Sequence, residues 1–254
     1  MYEYNFTGQV VWVTGSSTGI GRAAALAFAR FGADVVVHAN RSVAEGEEVA
    51  REIERMGRKS LLVTGDVADR GAVEAMAERV RETFGRVDVL VNNAGSLVRR
   101  VPFEEADEEI WDRVMDINLK SVFLVTKAAL PMMKPRGKGS IVNVSSIAAR
   151  TGGGPGSFIY AAAKGAVVTL TRGLAREFAP YNIRVNAIAP GVISTPFHDR
   201  FSPPPVRAMF SKQILLGREG TPEESAAAVL FLASDAASFI TGEMIDVNGG
   251  QWMA

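Results

Sequence analysis

Short runs of β-branched residues alternate with longer amphipathic stretches from one end of this chain to the other. Runs at 9–14, 34–39, 60–65, 87–92, 140–145, 184–189 and 243–247 have the length and composition of strands. Between them, 43–56, 72–84, 108–133 and 160–178 carry apolar residues at helical spacing. A strand, a helix and a second strand close as a right-handed crossover, and repeated crossovers build a parallel sheet covered on both faces. The pattern predicts an α/β fold: a doubly wound, seven-stranded parallel sheet in three layers, with helices on either side. No linker or shift in composition divides the chain, so residues 1–254 read as one domain. One segment breaks the rhythm. Residues 194–216 include Pro203, Pro204 and Pro205 in a row, too rich in proline for a strand and long for a plain connection, which predicts a lid over a binding site.

Composition mostly excludes. With 47% hydrophobic residues among 254, the chain can bury a substantial core. Its 28 basic and 28 acidic residues cancel, which argues against a nucleic-acid partner held by a basic surface. Cysteine is absent, which removes disulfides, thiolate zinc sites and a cysteine nucleophile. His38 and His198 are too few for a histidine-rich metal site. The opening MYEYNFTGQV lacks the basic and apolar regions of a secretion signal. No apolar run approaches the roughly 18 residues needed to cross a bilayer. The expectation is a cytoplasmic protein with a small-molecule partner, no metal, no nucleic acid and no membrane.

In an open parallel sheet, ligands bind beyond the carboxyl ends of the strands, and the polar clusters of this sequence fall there. The first strand candidate runs into Thr14, Gly15, Ser16, Ser17, Thr18, Gly19, Ile20 and Gly21, and a helical pattern follows at once. Glycines allow a tight turn and close backbone approach; a helix N-terminus presents free N–H groups and the positive end of its dipole. The pyrophosphate of a dinucleotide suits such a loop in a Rossmann-like fold, although the spacing GxxxGxG departs from the generic GxGxxG. The same residues also satisfy GxSxG with Ser17 central, the pattern of a hydrolase nucleophile elbow. That reading fails, because no earlier strand supplies a second oxyanion N–H and neither histidine has the context of a triad base. Within its strand pattern, His38 reads as a packed structural residue.

The choice of dinucleotide turns on the far end of the second strand, where an acid would bind a ribose 2′-hydroxyl. Asp34 opens that strand, on the order of 15 Å from the far end at about 3.3 Å per residue. The far end carries Ala39, Asn40 and Arg41 instead. A guanidinium there suits a 2′-phosphate. NADP(H) is favoured, with NAD(H) as the alternative.

Tyr160, Ala161, Ala162, Ala163 and Lys164 place a phenol and an ammonium four residues apart. On a helix these positions share a face, with Cβ atoms roughly 5–6 Å apart. A cation that close stabilises phenolate, so the spacing predicts a Tyr160 pKa below its usual ~10 and a proton donor and acceptor near neutral pH.

These features together resemble the compact, single-domain short-chain dehydrogenases/reductases, over essentially the whole chain. The resemblance rests on Thr14-Gly15-x3-Gly19-x-Gly21, Asp66 after the third strand, Asn92-Asn93-Ala94-Gly95 after the fourth and Asn118 within a helical stretch. Ser145-Ser146, Tyr160-x3-Lys164 and Pro190-Gly191-Val192-Ile193-Ser194-Thr195 complete it, in the family's order and spacing. It implies a reversible hydride transfer between the nicotinamide and a carbonyl or alcohol carbon, with Asn118, Ser146, Tyr160 and Lys164 as catalytic residues. Strand alternation leaves Ser145 and Ser146 open; the resemblance selects Ser146. Lys164 would also bond the nicotinamide ribose, and Asn118, at a helix irregularity, would hold a relay water. For the cofactor, the resemblance implies a phosphate loop of Gly15, Ser17, Thr18, Gly19 and Ile20, with Asn40 and Arg41 beside the adenosine ribose. Asp66 and Val67 would contact the adenine, with Asn92, Ala94 and Gly95 forming the adenosine-side ribose wall. Pro190, Gly191, Ile193 and Thr195 would lie at the nicotinamide half. Dimers or tetramers are the usual family assemblies, and Trp252-Met253-Ala254 could pack at such an interface.

Two departures stand out. Ser146 and Tyr160 are one residue further apart than is commonest, with Gly152, Gly153, Gly154, Pro155 and Gly156 between them, which reshapes the substrate wall. Position 18 is threonine where many NADP-dependent members carry arginine, so the cofactor preference rests on Arg41. For the substrate, 151–156, 195–198 and 248–251 look like the corresponding stretches of reductases for keto-uronates from alginate breakdown. A 3-oxoacyl-thioester reductase is the alternative. Arg150, His198, Arg200 and Arg207 are candidate cations for an anionic substrate. A non-catalytic dinucleotide sensor or scaffold is the reading of another class, which loss of Tyr160, Lys164 or Ser146 would signal; all three are present.

Overall fold

The computed structural model describes residues 4–202 and 204–253. Seven strands, β1 Val10–Val13, β2 Asp34–Ala39, β3 Ser60–Thr64, β4 Val89–Asn92, β5 Gly139–Val144, β6 Ile183–Pro190 and β7 Met244–Val247, form one sheet. Their order is β3-β2-β1-β4-β5-β6-β7, and every pairing is parallel. In chain order the α-helices are α1 Gly19–Arg30, α2 Val43–Arg55, α3 Arg70–Phe84, α4 Glu108–Met115, α5 Ser121–Met133, α6 Ala148–Thr151, α7 Phe158–Phe178, α8 Pro196–Phe201, α9 Pro204–Ser211 and α10 Pro222–Ala233.

Apolar runs such as VVWV in β1 are buried along their length, as strands covered on both faces must be. Alternate side chains point to opposite faces. Val11 and Val13 enter one core with Phe28 of α1, Val49 of α2 and Val229 of α10. Val10 and Trp12 enter the other with Met76 of α3, Leu124 of α5 and Phe178 of α7. The layers follow: α1, α2 and α10 on one side, α3, α5 and α7 on the other. The predicted doubly wound, Rossmann-like sheet is the observed one.

Two local departures from the sequence pattern matter for the site. The stretch 108–133 is not one helix. It widens into a π-turn at Asp116–Lys120 between α4 and α5. There Asn118 Nδ2 donates to the Val114 carbonyl at 2.8 Å, a polar side chain taking up a helix carbonyl at the irregularity. The proline-rich segment holds two short helices, α8 and α9, rather than irregular chain. Pro196 and Pro204 stand at their first positions, where a missing N–H breaks no helical hydrogen bond. Pro203 and Ala254 lie outside the described residues. The connections leaving β1 and β4 run in opposite directions, which opens a crevice beyond the carboxyl ends of these neighbours.

Candidate active site

A cleft of about 690 Å³ occupies that crevice, from the glycine loop to the short helices α8 and α9. At one end Gly15, Ser17, Thr18, Gly19 and Ile20 line it. Gly15 and Gly19 have φ of 62° and 56°, the left-handed region that favours glycine. A Cβ at Gly21 would stand 2.3 Å from the Gly15 carbonyl oxygen, so α1 can approach the turn only because that position carries no side chain. The helix starts at Gly19, so its free N–H groups face the cleft. Asn40, Arg41 and Ser42, just past β2, line the same end. Asp34 stands at the opposite end of β2, where its carboxylate accepts from Lys59 N at 2.8 Å. The loop, the helix terminus and the acid-free end of β2 fit a phosphorylated dinucleotide.

His38 was missed as a contributor to this loop. It is buried in β2 as predicted, but its ring sits between loops at the cofactor end and lines the cleft. Gly15 N donates to Nδ1 at 2.8 Å and Nε2 lies 3.0 Å from the Gly65 carbonyl oxygen. The first bond needs an Nδ1 lone pair and the second a proton on Nε2, which defines a neutral ring. Burial, the largest influence, lowers its pKa. Its backbone N–H also donates to Ser16 Oγ at 2.8 Å and its carbonyl accepts from Ser16 N at 3.0 Å, so one residue braces the phosphate loop three times. The ring is engaged with Gly15 and Gly65, so His38 does not serve Ser17 as a base.

Two expected cofactor residues do not line the cleft. Asn92 ends β4 with its side chain in the interior, donating to Thr126 Oγ1 at 3.0 Å and Asn143 Oδ1 at 2.9 Å. The following residues, Asn93, Ala94 and Gly95, line the cleft instead. Asn93 Nδ2 donates to the Thr14 and Gly15 carbonyls, tying β4 to the glycine loop. Asp66 accepts from Arg113 at 2.8 Å and from Ala68 N at 2.9 Å, and only its neighbour Val67 lines the cleft. Pro190, Gly191, Ile193 and Thr195 line it where expected.

At the centre, α7 brings Tyr160 and Lys164 to one wall and the end of β5 brings Ser146 beside them. Ser145 Oγ turns inward and donates to the Lys164 carbonyl at 2.8 Å. Lys164 is 3% exposed, lies 5.7 Å from the Tyr160 ring centroid and donates to the Val144 carbonyl at 2.8 Å. Burial pulls its pKa down to about 8. The expected fall in the Tyr160 pKa does not occur: burial pushes the phenol up to about 12, while a Ser146 hydrogen bond pulls the other way. The ring is only partly buried, so water in the cleft tempers that rise. Asn118 is wholly buried and does not line the cleft. Its amide donates to Ser96 O at 2.7 Å and to Val114 O, and its Oδ1 accepts from Ser96 N at 3.1 Å. The side chain therefore fixes the loop behind Gly95, where an added Cβ would stand 2.7 Å from Asn118 Oδ1 and 3.1 Å from Lys164 Nζ.

Of the four candidate substrate cations, two face away. Arg150 pairs with Asp246 at 3.3 Å. Arg207 pairs with Glu219 at 2.5 Å and with Asp199. Neither lines the cleft, whereas His198 and Arg200 do. Burial, followed by Arg207, lowers the His198 pKa, which favours its neutral ring. Arg100 also lines the substrate end and was not anticipated. The signal available was the basic pair Arg99-Arg100 shortly after Gly95.

A family model described as Enoyl-(Acyl carrier protein) reductase matches residues 15–251. The chain belongs to the short-chain dehydrogenase/reductase family, oxidoreductases that act on CH–OH and C=O groups with NAD(P)(H). It is 42% identical over 243 residues to the 3-oxoacyl-(acyl-carrier-protein) reductase FabG of Thermotoga maritima, covering 96% of this chain and 97% of that one. It is 44% identical over 246 residues to cis-4-hydroxycyclohexanecarboxylate dehydrogenase of Sinomonas cyclohexanicum, covering 96% and 97%. Among solved structures, the NADH-dependent reductase A1-R′ responsible for alginate metabolism superposes with a TM-score of 0.90 at 34% identity, covering 98% of this chain and 99% of that one. No helix among the described residues is long and apolar enough to cross a membrane.

Proposed function

We propose that this protein is an NADP(H)-preferring carbonyl reductase whose substrate is a small carbonyl compound bearing an acid group, a keto sugar acid being the leading candidate. One observation carries the reading. Among the described residues, the cleft is lined by Arg41, Arg100, Arg113, Lys164 and Arg200 but by no aspartate or glutamate. Arg113 is paired with Asp66; none of the other four has a carboxylate within ion-pairing distance among the described residues. Such a cleft favours anions at both ends, a 2′-phosphate beside Arg41 and an acid group beside α8 and α9.

When bound, the reduced nicotinamide supplies hydride to the carbonyl carbon. Tyr160 donates its proton to the developing alkoxide, and the Ser146 hydroxyl hydrogen-bonds the same oxygen. A phenol whose pKa burial raises stays protonated at neutral pH, the form reduction requires. Lys164 places a cation behind the phenol and would bond the nicotinamide ribose. Asn118 holds the Ser96 backbone and the π-turn in place, and a relay water would sit against this turn. The segment 194–216 acts as a lid on a single catalytic domain, with Phe197 of α8 packed against Tyr160 at 5.7 Å between ring centroids. The protein works as a dimer or tetramer, which light scattering will test.

Tyr160→Phe removes the transferable proton and little else. We expect kcat to fall about 10²–10⁴-fold while the NADPH Kd stays within about threefold. Ordinary ketone reduction by this variant would refute the assignment. The second reading, reduction of 3-oxoacyl thioesters, draws on the Thermotoga maritima relative's name. A higher kcat/KM for such thioesters than for keto-uronates would select it.

A further inference from the structure

Arg100 enters the cleft from the connection after β4, and among the described residues its hydrogen bonds both go to main-chain carbonyls. Nε donates to Phe201 O and Nη1 to Pro155 O, both at 2.7 Å. One guanidinium thus joins three segments of the substrate end: its own loop, the glycine-rich loop before α7 and the end of α8. The seat is shaped for it. A Cβ at Gly156 would stand 3.1 Å from Arg100 Cβ and 2.9 Å from Val101 N, and one at Gly154 would stand 3.6 Å from Nη1. Gly156 has φ of 70° as well. The glycines between Ser146 and Tyr160 therefore let this arginine lie flat against the loop.

What the guanidinium lacks is an acid. Burial is the one influence on its pKa, and it pulls downward. Among the described residues no carboxylate pairs with it, and Asp199 of α8 and Glu219 are held by Arg207. Two main-chain carbonyls use two of its five N–H groups, and its planar fork matches a carboxylate. Phe197 packs edge-on against Phe201 at 5.0 Å and at a tilt against Tyr160 at 5.7 Å between ring centroids, so an aromatic wall leads from the reacting phenol to the segment bonded to Arg100.

We propose that Arg100 is the specificity-determining anion anchor of the substrate site: it binds the carboxylate of a keto acid whose carbonyl lies at Tyr160. Arg200 supplies a second positive charge at the rim. This rests on the acidic-substrate reading above and names the residue responsible.

The test uses two matched pairs, a keto-uronate with its methyl ester and acetoacetate with methyl acetoacetate, each with NADPH. Wild type should prefer the acid of at least one pair. Arg100→Met should lower kcat/KM for that acid about 10- to 100-fold, mainly through KM, and leave the ester within about threefold, erasing the preference. The NADPH Kd should not move. Arg100→Lys keeps the charge without the fork and should lose less, again on the acid alone; it carries the test if the methionine variant does not fold. Equal losses on acid and ester would make Arg100 a structural strut and overturn the anchor while leaving the acidic-substrate reading intact. An unchanged acid preference in Arg100→Met would also overturn it. A wild type without preference in either pair would overturn both, before any variant is made.

Discussion

At the cofactor end of the cleft the lining groups are fixed by hydrogen bonds between strand ends, whereas at the substrate end they hang on two short helices and a glycine-rich loop. Gly15 is held by His38, Thr14 and Gly15 by Asn93, and α1 by the bare face of Gly21. The substrate end is held by arginines bonded to carbonyls and carboxylates, Arg100 to Phe201 and Pro155, Arg207 to Asp199 and Glu219. The first arrangement presents a rigid, pre-formed site for a ligand common to many enzymes. The second leaves shape and charge to residues that can differ without disturbing the sheet.

After the loss of turnover in Tyr160→Phe, the largest effect should come from crowding the rigid end. Gly21→Ala would press a methyl into the Gly15 carbonyl, and overpacking of this kind costs about 1–3 kcal/mol. Thermal unfolding should show that loss, and fluorescence titration should show NADPH affinity reduced at least about tenfold. A fully stable, tight-binding Gly21→Ala protein would break the contrast between the two ends.

Arg41→Ala should weaken NADPH about tenfold and leave NADH within about twofold, because only the former carries a 2′-phosphate. Equal losses for both cofactors, read by the same titration, would remove Arg41 as the source of preference.

The proton-transfer groups sharpen the comparison through pH. With Tyr160 held up toward 12, its phenolate is scarce at neutral pH, so alcohol oxidation, which needs that base, should rise with pH by up to about tenfold per unit. Reduction uses the phenol and a charged Lys164. It should stay level to about pH 7, fall to half near pH 8 and decline further above, as Lys164 loses its proton. Profiles of kcat in both directions check this; an oxidation rate that is flat from neutral to alkaline pH would contradict it. The smallest effect is a control far from either end. Gly173 is exposed on α7 with open space around its missing Cβ, so Gly173→Ala should stabilise the fold by about 0.5–1 kcal/mol in denaturant without altering kinetics.

What could be read from the sequence follows the same division. Strand runs, the glycine loop and Tyr160-x3-Lys164 depend on local periodicity and on chain ends that the fold always brings together. The acid-free end of β2 was legible because Asp34 opens that strand and Arg41 stands just past its far end. Side-chain direction at a strand end was not: Asn92 turns inward while Asn93 turns to the cleft. Nor was the balance between burial and charge at Tyr160, which depends on how deep α7 packs. Arg100 and the detachment of Arg150 and Arg207 were hidden for a different reason. Arg100 and Arg150 are decided by partners about a hundred residues away, Phe201 and Asp246, and Arg207 by Asp199 and Glu219 on either side of it, pairings that helical or strand periodicity does not reveal.

The central claim, that this cleft takes an anion at each end with the reacting carbonyl at Tyr160 between them, is tested most directly by a crystal structure of the ternary complex with NADP⁺ and a keto acid. The account predicts the 2′-phosphate against Asn40, Arg41 and Ser42, the carbonyl oxygen within hydrogen-bonding distance of Tyr160 and Ser146, and the carboxylate at the Arg100 end. A 2′-phosphate clear of Arg41, or an acid group turned to solvent with the carbonyl away from Tyr160, would contradict it.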